Sequence, residues 1–551
     1  MGAQLWFRLR QGEISARPLS DLRALRRDGR RLRLEQERER RWQALLRART
    51  PVQLQALPAD HQQRLQQLQD LAAGQLEFEQ LDPALRQSLS ALHLGTERGE
   101  VRHLLADLGQ WDQHRLIALE GTTWSAGFSD ELLGETERLL AAADQPQPGD
   151  ETRLDLSALH TVTIDDDDTR DIDDGLSLER LAGGRLKLWI HVADPGRLIT
   201  PDSPLDLEAR RRGSTLYLAR GILPMLPEPL STGPFSLRQR QRCPAWSTWV
   251  ELDDDGGISA SGIERSWVKP AYRLSYDDAD ALIDLAPPED PDLAELDRLL
   301  QRRRSWRVAR GALLMELPEG RIRARDGEPG LEISEPSPSR ALVAEAMILA
   351  GAVAAEFGRE RSLALPFRSQ LPADLPPATE LNALPDGPVR FAAIKRCLSR
   401  GLMGTSPAPH FSLGLPAYVQ ATSPIRRYGD LVVQRQIGAL LAGQTPLSAD
   451  QLDEQLQTFE AGVREGIGIS REDQRHWQQV WFEAHRGGQW RAQFLRWLRP
   501  QDRLGLVRAE ELAMDLVAEC PSGVEPGTAL WLRVHQVDSL RDQLRLTCSA
   551  G

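Results

Sequence analysis

The chain has 551 residues, 41% of them hydrophobic, enough for three or four domains with substantial cores. No apolar stretch reaches the ~20 residues that span a bilayer, and the opening MGAQLWFRLRQGE lacks the apolar run of a secretory signal. Four scattered cysteines without a C-x-x-C argue against a disulfide framework or zinc site, so a cytoplasmic protein without membrane partners is expected.

Net charge is −12, which on its face disfavours a nucleic-acid partner, but the charge is unevenly placed. Residues 1–50 hold fourteen arginines against six acids. Residues 1–148 read as a mainly helical region, with leucines such as Leu22, Leu25, Leu65, Leu68 and Leu71 at helical intervals and breaks near Pro51, Pro58 and Pro83. Short strands are expected in Gly109–Phe128, which would suit a winged-helix, RNA-binding arrangement; a helical scaffold that recruits a protein partner is the alternative.

QPQPGDE (Gln145–Glu151) is a linker into a second region, 149–485. There β-branched Thr161–Ile164 and the run Leu186–Asp194 read as strands. Between them TIDDDDTRDIDDG (163–175) packs seven aspartates into thirteen positions. Carboxylates this close raise each other's pKa unless positive charge separates them. A hard divalent cation such as Mg²⁺ or Mn²⁺ removes that cost and prefers oxygen ligands; a solvated acidic loop is the plainer alternative. An EF-hand is excluded, because the places that need acids relative to Gly175 hold Arg170 and Leu181. The chain turns helical again through 450–485. Five short alternating segments over 486–551 then suggest a compact OB-type β-barrel, a common binder of single strands.

Three motifs in order identify a family resemblance. They are T-I-D-x5-D-x-D-D with HVADPGRLITPDSPLDLEARRRGSTLYLARGILPMLP, then SRALVAEAMILAGAVAAEF (Ser339–Phe357), then PHFSLGLPAYVQATSPIRRYGDLVVQR (Pro409–Arg435). Residues 155–480 resemble the RNB catalytic domain of the ribonuclease II / ribonuclease R family. The resemblance implies a multidomain α/β (α+β) protein whose largely antiparallel catalytic sheet is wrapped by helices. It implies hydrolytic 3′→5′ degradation of single-stranded RNA with a free 3′ end to nucleoside 5′-monophosphates. It places the metal on Asp165, Asp171, Asp173 and Asp174, with Asp173, Asp174 and Arg426 catalytic. In an extended stretch Asp171 and Asp173 share a side, and Asp174 joins them only through a turn, which Gly175 permits.

Tyr217 matches a position that stacks near the 3′-terminal nucleotide. Tyr276 matches another substrate contact, and Glu472 lies within one residue of a family acidic position. The chain departs from the family in three places. The usual N-terminal cold-shock barrels are not evident, Gly320–Pro329 lacks the second clamping aromatic, and Gln370 and Leu371 replace a polar pair. A non-catalytic RNA-binding protein of the same fold and a DNA-directed phosphodiesterase are the rival readings.

Overall fold

The computed structural model describes residues 6–10, 13–94 and 97–550. It divides into two compact units, residues 1–117 with 536–544 and residues 118–535 with 545–551.

In the first unit a hairpin (Phe7–Arg10, Glu13–Ala16) precedes helices Leu19–Ala48, Ala59–Ala73, Pro83–Ala91 and Arg98–Asp107. Prolines set the breaks as expected. Pro58 precedes the second helix, and Asp82 caps the third by accepting from the N–H groups of Ala84 and Leu85. The helices close over Trp42, Leu46, Leu65, Leu68, Leu85 and Leu104. The strands expected in Gly109–Phe128 do not form: that stretch is turns and a short 3-10 helix, Ile117–Leu119. Three glycines with positive φ (Gly109, Gly121, Gly127) interrupt the stretch before any apolar run is long enough to pair, so among the described residues no wing follows the helices.

The second unit starts at 118, ahead of the expected linker. Helix Asp130–Ala142 belongs to it, and Leu205 N–H donates to Glu135 Oε2 (3.0 Å). Its centre is a seven-stranded sheet in the order Pro270–Ser275, Thr161–Asp165, Asp174–Arg180, Leu186–Ala193, Cys243–Leu252, Ile258–Val268, Leu154–Asp155. Only the two outermost pairings are parallel, so the largely antiparallel sheet is as expected.

Side chains alternate across this sheet. Val162, Ile164, Leu176, Leu188 and Ile190 face helices Asp292–Val308 and Pro338–Glu360. Trp189, Ala193 and Ala245 face Tyr428, Leu431 and Phe459. Helix Pro338–Glu360 is long and apolar enough on average to cross a bilayer, a feature that a search for an unbroken apolar run passes over. It is a core helix here. Leu342, Ala346, Leu349 and Val353 are buried, and its one buried acid, Glu345, is paired with Arg307.

Helix Ala449–Ala484 runs ~54 Å at 1.5 Å per residue and packs on helix Pro204–Arg212. Gly462 permits this, because a Cβ there would sit 2.1 Å from Arg211 O. The last five strands, Gln489–Arg499, Leu504–Ala509, Met514–Glu519, Ala529–Asp538 and Gln543–Ala550, close a barrel. Trp490 is buried against Trp481 and Phe482, a core role.

Candidate active site

The aspartate run is the connection between two neighbouring antiparallel strands. Strand Thr161–Asp165 ends on Asp165, and strand Asp174–Arg180 begins on Asp174. Ile172 fixes the turn between them. Its side chain is buried, its N–H donates to Ser236 Oγ (2.8 Å) and its carbonyl accepts from Leu237 N–H (2.9 Å). With Ile172 pointed into the core, Asp171 and Asp173 point the other way. Asp173 is tied down as well, its carbonyl accepting from Ala193 N–H at 2.7 Å.

Asp173 is 3% exposed, and both of its carboxylate oxygens are engaged. Oδ1 accepts from Ile425 N–H (3.1 Å) and Oδ2 from Arg426 Nε (3.0 Å). Of the two adjacent arginines, Arg427 is the structural one: it pairs with Asp430 at 2.6 Å, and Asp430 also accepts from Ser423 N–H. Arg426 is left to serve the aspartates. Its guanidinium is held more firmly charged than an ordinary arginine, against the cost of burial, by Asp173, Tyr217 and Asp174.

The four aspartates are under-compensated. Burial, then the charge of Asp174, pushes Asp165 up to about 8, with only Arg426 opposing. Burial raises Asp173 to about 7 and Asp174 to about 6, and it raises Asp171 as well. Asp165 Oδ2 is buried without a hydrogen-bond partner. Four acids facing one guanidinium, one of them with an orphaned oxygen, are a donor set suited to a hard divalent cation. Among the described residues, no three such side chains are already drawn into a ligand cage.

Tyr217, on strand Leu216–Leu218, is 37% exposed and so is not a core tyrosine. Thr215 N–H bonds Arg426 O (3.0 Å) and Tyr428 N–H bonds Gly213 O (3.0 Å). These ties bring Tyr217 Oη to Arg426, near Asp171 and Asp173; burial raises its pKa. Tyr276 opens helix Tyr276–Leu285, capped by Ser275. Burial, then Asp165 and Asp174, pushes its phenol up to about 12, so it stands within reach of the cluster's charge.

Glu472 is not gathered in. Its carboxylate accepts from Ala118 N–H (3.3 Å), while the next residue, buried Asp473, accepts from Ala219 N–H (2.6 Å), two positions from Tyr217. Sequence reasoning also passed over Arg340, whose guanidinium lies 3.9 Å from the Tyr276 ring centroid and pairs with Asp166 at 2.7 Å. Its place in the first turn of the Ser339–Phe357 block was the available signal. Gln370 is structural: its amide bridges Ser399 O and Ser412 N–H.

The chain is similar to known proteins in sequence and in fold. Residues 153–443 match the model of the RNB domain. The chain is 42% identical over 465 residues to an uncharacterized ribonuclease of Synechocystis sp., covering 84% of this chain and 70% of that protein. It is 34% identical to the chloroplastic/mitochondrial ribonuclease II of Arabidopsis thaliana, covering 81% of this chain but only 56% of that one. Among solved structures, an active-site mutant of the Dss1 exoribonuclease of Candida glabrata superposes with a TM-score of 0.74 at 19% identity. That match covers 97% of this chain and 72% of Dss1, and it shows the shared fold.

Proposed function

Because this chain belongs to the RNB-domain family, we propose that it is a hydrolytic exoribonuclease that shortens single-stranded RNA from a free 3′ end and releases nucleoside 5′-monophosphates. The observation that carries this reading is the imbalance of two buried aspartates, Asp173 and Asp174, and two half-buried ones, Asp165 and Asp171, against Arg426, set beside an exposed tyrosine. A decayed, non-catalytic relative has no reason to keep so costly an arrangement.

Asp165, Asp171, Asp173 and Asp174 would hold a divalent cation, Mg²⁺ in our reading with Mn²⁺ as a substitute. When bound, such an ion lowers the pKa of a coordinated water and offsets charge on phosphate oxygens. The protein's own residues do the rest. Asp173 aims Arg426 through its Oδ2, and the guanidinium offers its remaining N–H groups to the phosphate, whose charge grows toward the transition state. Tyr217 provides a stacking face for the terminal base, a grip that does not depend on sequence. Tyr276, held beneath Arg340, stands within reach of the same cluster. Discrimination against DNA would rest on the 2′-hydroxyl. Four free thiols among the described residues support a reducing, cytoplasmic setting.

The test is a 5′-labelled single-stranded RNA of about thirty nucleotides, incubated with Mg²⁺ or with EDTA. The expected result is a descending ladder that ends in a product of a few nucleotides, stopped by EDTA. Tight binding without shortening would overturn the catalytic reading, and equal cutting of a DNA oligomer would overturn the RNA assignment.

A further inference from the structure

The most anomalous surface outside the aspartate site is helix Leu19–Ala48. It carries ten arginines against five acids, +5 in a chain whose total is −12. Of its thirty residues only Trp42 and Leu46 are buried, both near its C-terminal end. Its preceding three-quarters are bare: Leu25, Leu32 and Leu34 are 37%, 55% and 52% exposed.

Helices in proteins draw most of their stability from a packed face, which this one has only at its C-terminal end, and like charges three and four apart weaken it further. Two local pairs, Arg31–Glu35 and Arg41–Glu37, offset part of that repulsion. Arg26, Arg30 and Arg38 have no acidic partner among the described residues and lie at i, i+4 and i+12, along ~18 Å of one face. Together with Arg27, Leu34 and the Arg31–Glu35 pair (2.8 Å) they line an open cleft, in which Glu35 is the one acid against five arginines. The cationic side chain at its N-terminal end is fixed, with the Arg26 guanidinium 5.2 Å from the ring centroid of Trp6.

From this we infer that the arginine face of helix Leu19–Ala48 is a docking surface for the phosphate backbone of RNA. Charge selects the occupant. A row of guanidiniums at helical spacing, positive in an otherwise acidic protein, matches a polyanion; bidentate Arg–phosphate contacts form without any demand on base sequence. A coiled-coil partner fits less well, since the leucine at 32 is followed at the next heptad place by Glu39. The inference deepens the exoribonuclease reading by adding a second RNA contact. It is read by binding rather than by turnover, so either can fail alone.

The experiment uses the full chain and a fluorescent 40-nucleotide RNA in EDTA, with anisotropy followed from 50 to 300 mM salt. It compares wild type with the triple variant Arg26→Gln, Arg30→Gln, Arg38→Gln and with the matching triple Lys variant. The expected Gln result is about 10- to 100-fold weaker binding at low salt. The log–log salt slope should be smaller by about 2, at ~0.7 for each phosphate left without its arginine. The Lys variant should restore most of both, and kcat at saturating RNA with Mg²⁺ should stay at the wild-type value in all three. Circular dichroism shows whether helicity is kept; if the Gln variant loses helix, the test passes to single Gln substitutions, each expected to lower the slope by about 0.7. Unchanged affinity and slope in a folded Gln variant would overturn the inference, as would a Lys variant that fails to restore binding. A wild type that binds with the expected slope but never shortens RNA would overturn the enzyme reading alone.

Discussion

Two groups of buried and half-buried carboxylates lie in the second unit, and their charge balance differs. Around Asp206 the acid is fully answered: Arg435 Nη1 stands 2.6 Å away and Arg210 Nη2 3.1 Å, while Tyr428 Oη and Asp202 N–H also donate to it. Asp150 is answered likewise, by Arg197 at 2.8 Å and Arg153 at 3.1 Å, and Arg153 also reaches Asp194 at 2.5 Å. Although burial alone would raise it, the Arg197 and Arg153 hydrogen bonds bring Asp150 down to about 2. At Asp165, Asp171, Asp173 and Asp174, Arg426 faces four acids, helped only at Asp174 by Arg427, which Asp430 already engages, and the carboxyls rise instead. Both groups are dense in Asp and Arg; what separates scaffold from candidate active site is whether the charge has been neutralised within the fold.

The largest effect should come from the under-compensated group. Asp173→Asn keeps the shape of the side chain but removes the charge that aims Arg426, and it should lower kcat by about 10³-fold or more, with RNA binding retained. Arg426→Gln should cost ~10²–10³-fold. Single-turnover degradation of labelled RNA reads both; near-normal rates in either variant would place the chemistry elsewhere. The compensated group should answer in stability instead. Asp206→Ala leaves Arg435 and Arg210 without their buried partner and should cost ~3–5 kcal/mol in urea unfolding. A variant that stays stable but loses kcat would erase the distinction between the two groups.

Tyr217→Ala tests the rim of the site. Loss of one stacking platform is worth ~1–3 kcal/mol, so Kd for a 3′-terminal oligomer should rise about tenfold or more. A longer limit product in the ladder would accompany it.

The two groups also predict opposite pH slopes in metal-free protein. Asp165, Asp173 and Asp174 titrate at about 8, 7 and 6 when folded, against 3.8 when unfolded. Between those limits the folded state holds protons that the unfolded state has shed, so stability falls as pH rises through that window. Each excess proton contributes ~1.4 kcal/mol per pH unit. Asp150 has the reverse sign: its stabilisation is present above 3.8 and is lost as pH falls toward about 2. Thermal unfolding from pH 5 to 8 in EDTA should therefore slope downward in wild type and less steeply in Asp165→Asn, where Asp173 and Asp174 stay raised, while a divalent cation should remove the slope in wild type. Identical slopes in the two proteins would contradict the charge imbalance.

Much of this contrast was legible in the residues. The five terminal strands were readable because each alternates apolar and polar residues between turn signals. The clustering of Asp165, Asp171, Asp173 and Asp174 was readable because their spacing sits within a recognisable motif. The Arg426/Arg427 choice came from the resemblance, and its physical reason, that Asp430 claims Arg427, emerges only when a helix turn brings them together. Long-range partnerships were out of reach: Asp473 rather than Glu472 faces Ala219, and Arg340 covers Tyr276 from a distant helix. The absent strands in Gly109–Phe128 reflect short apolar runs whose periodicity does not discriminate.

The smallest expected effect falls one residue from the site. Asp166 belongs to the same run as Asp165, yet its side chain is exposed and pairs with Arg340 across 2.7 Å at the surface. An exposed pair of this kind is worth ~0.2–1 kcal/mol and weakens with salt. Asp166→Asn should leave kcat within about twofold of wild type and shift stability by no more than ~1 kcal/mol, since water already solvates the charge that the mutation removes. The one route to a larger effect is through Arg340, which stays over Tyr276 by its contact with the ring and does not need the carboxylate to hold it there. A tenfold fall in kcat for Asp166→Asn, absent from Arg340→Gln, would mean that the exposed aspartate itself reaches the reacting phosphate, and that burial is the wrong criterion for dividing this run.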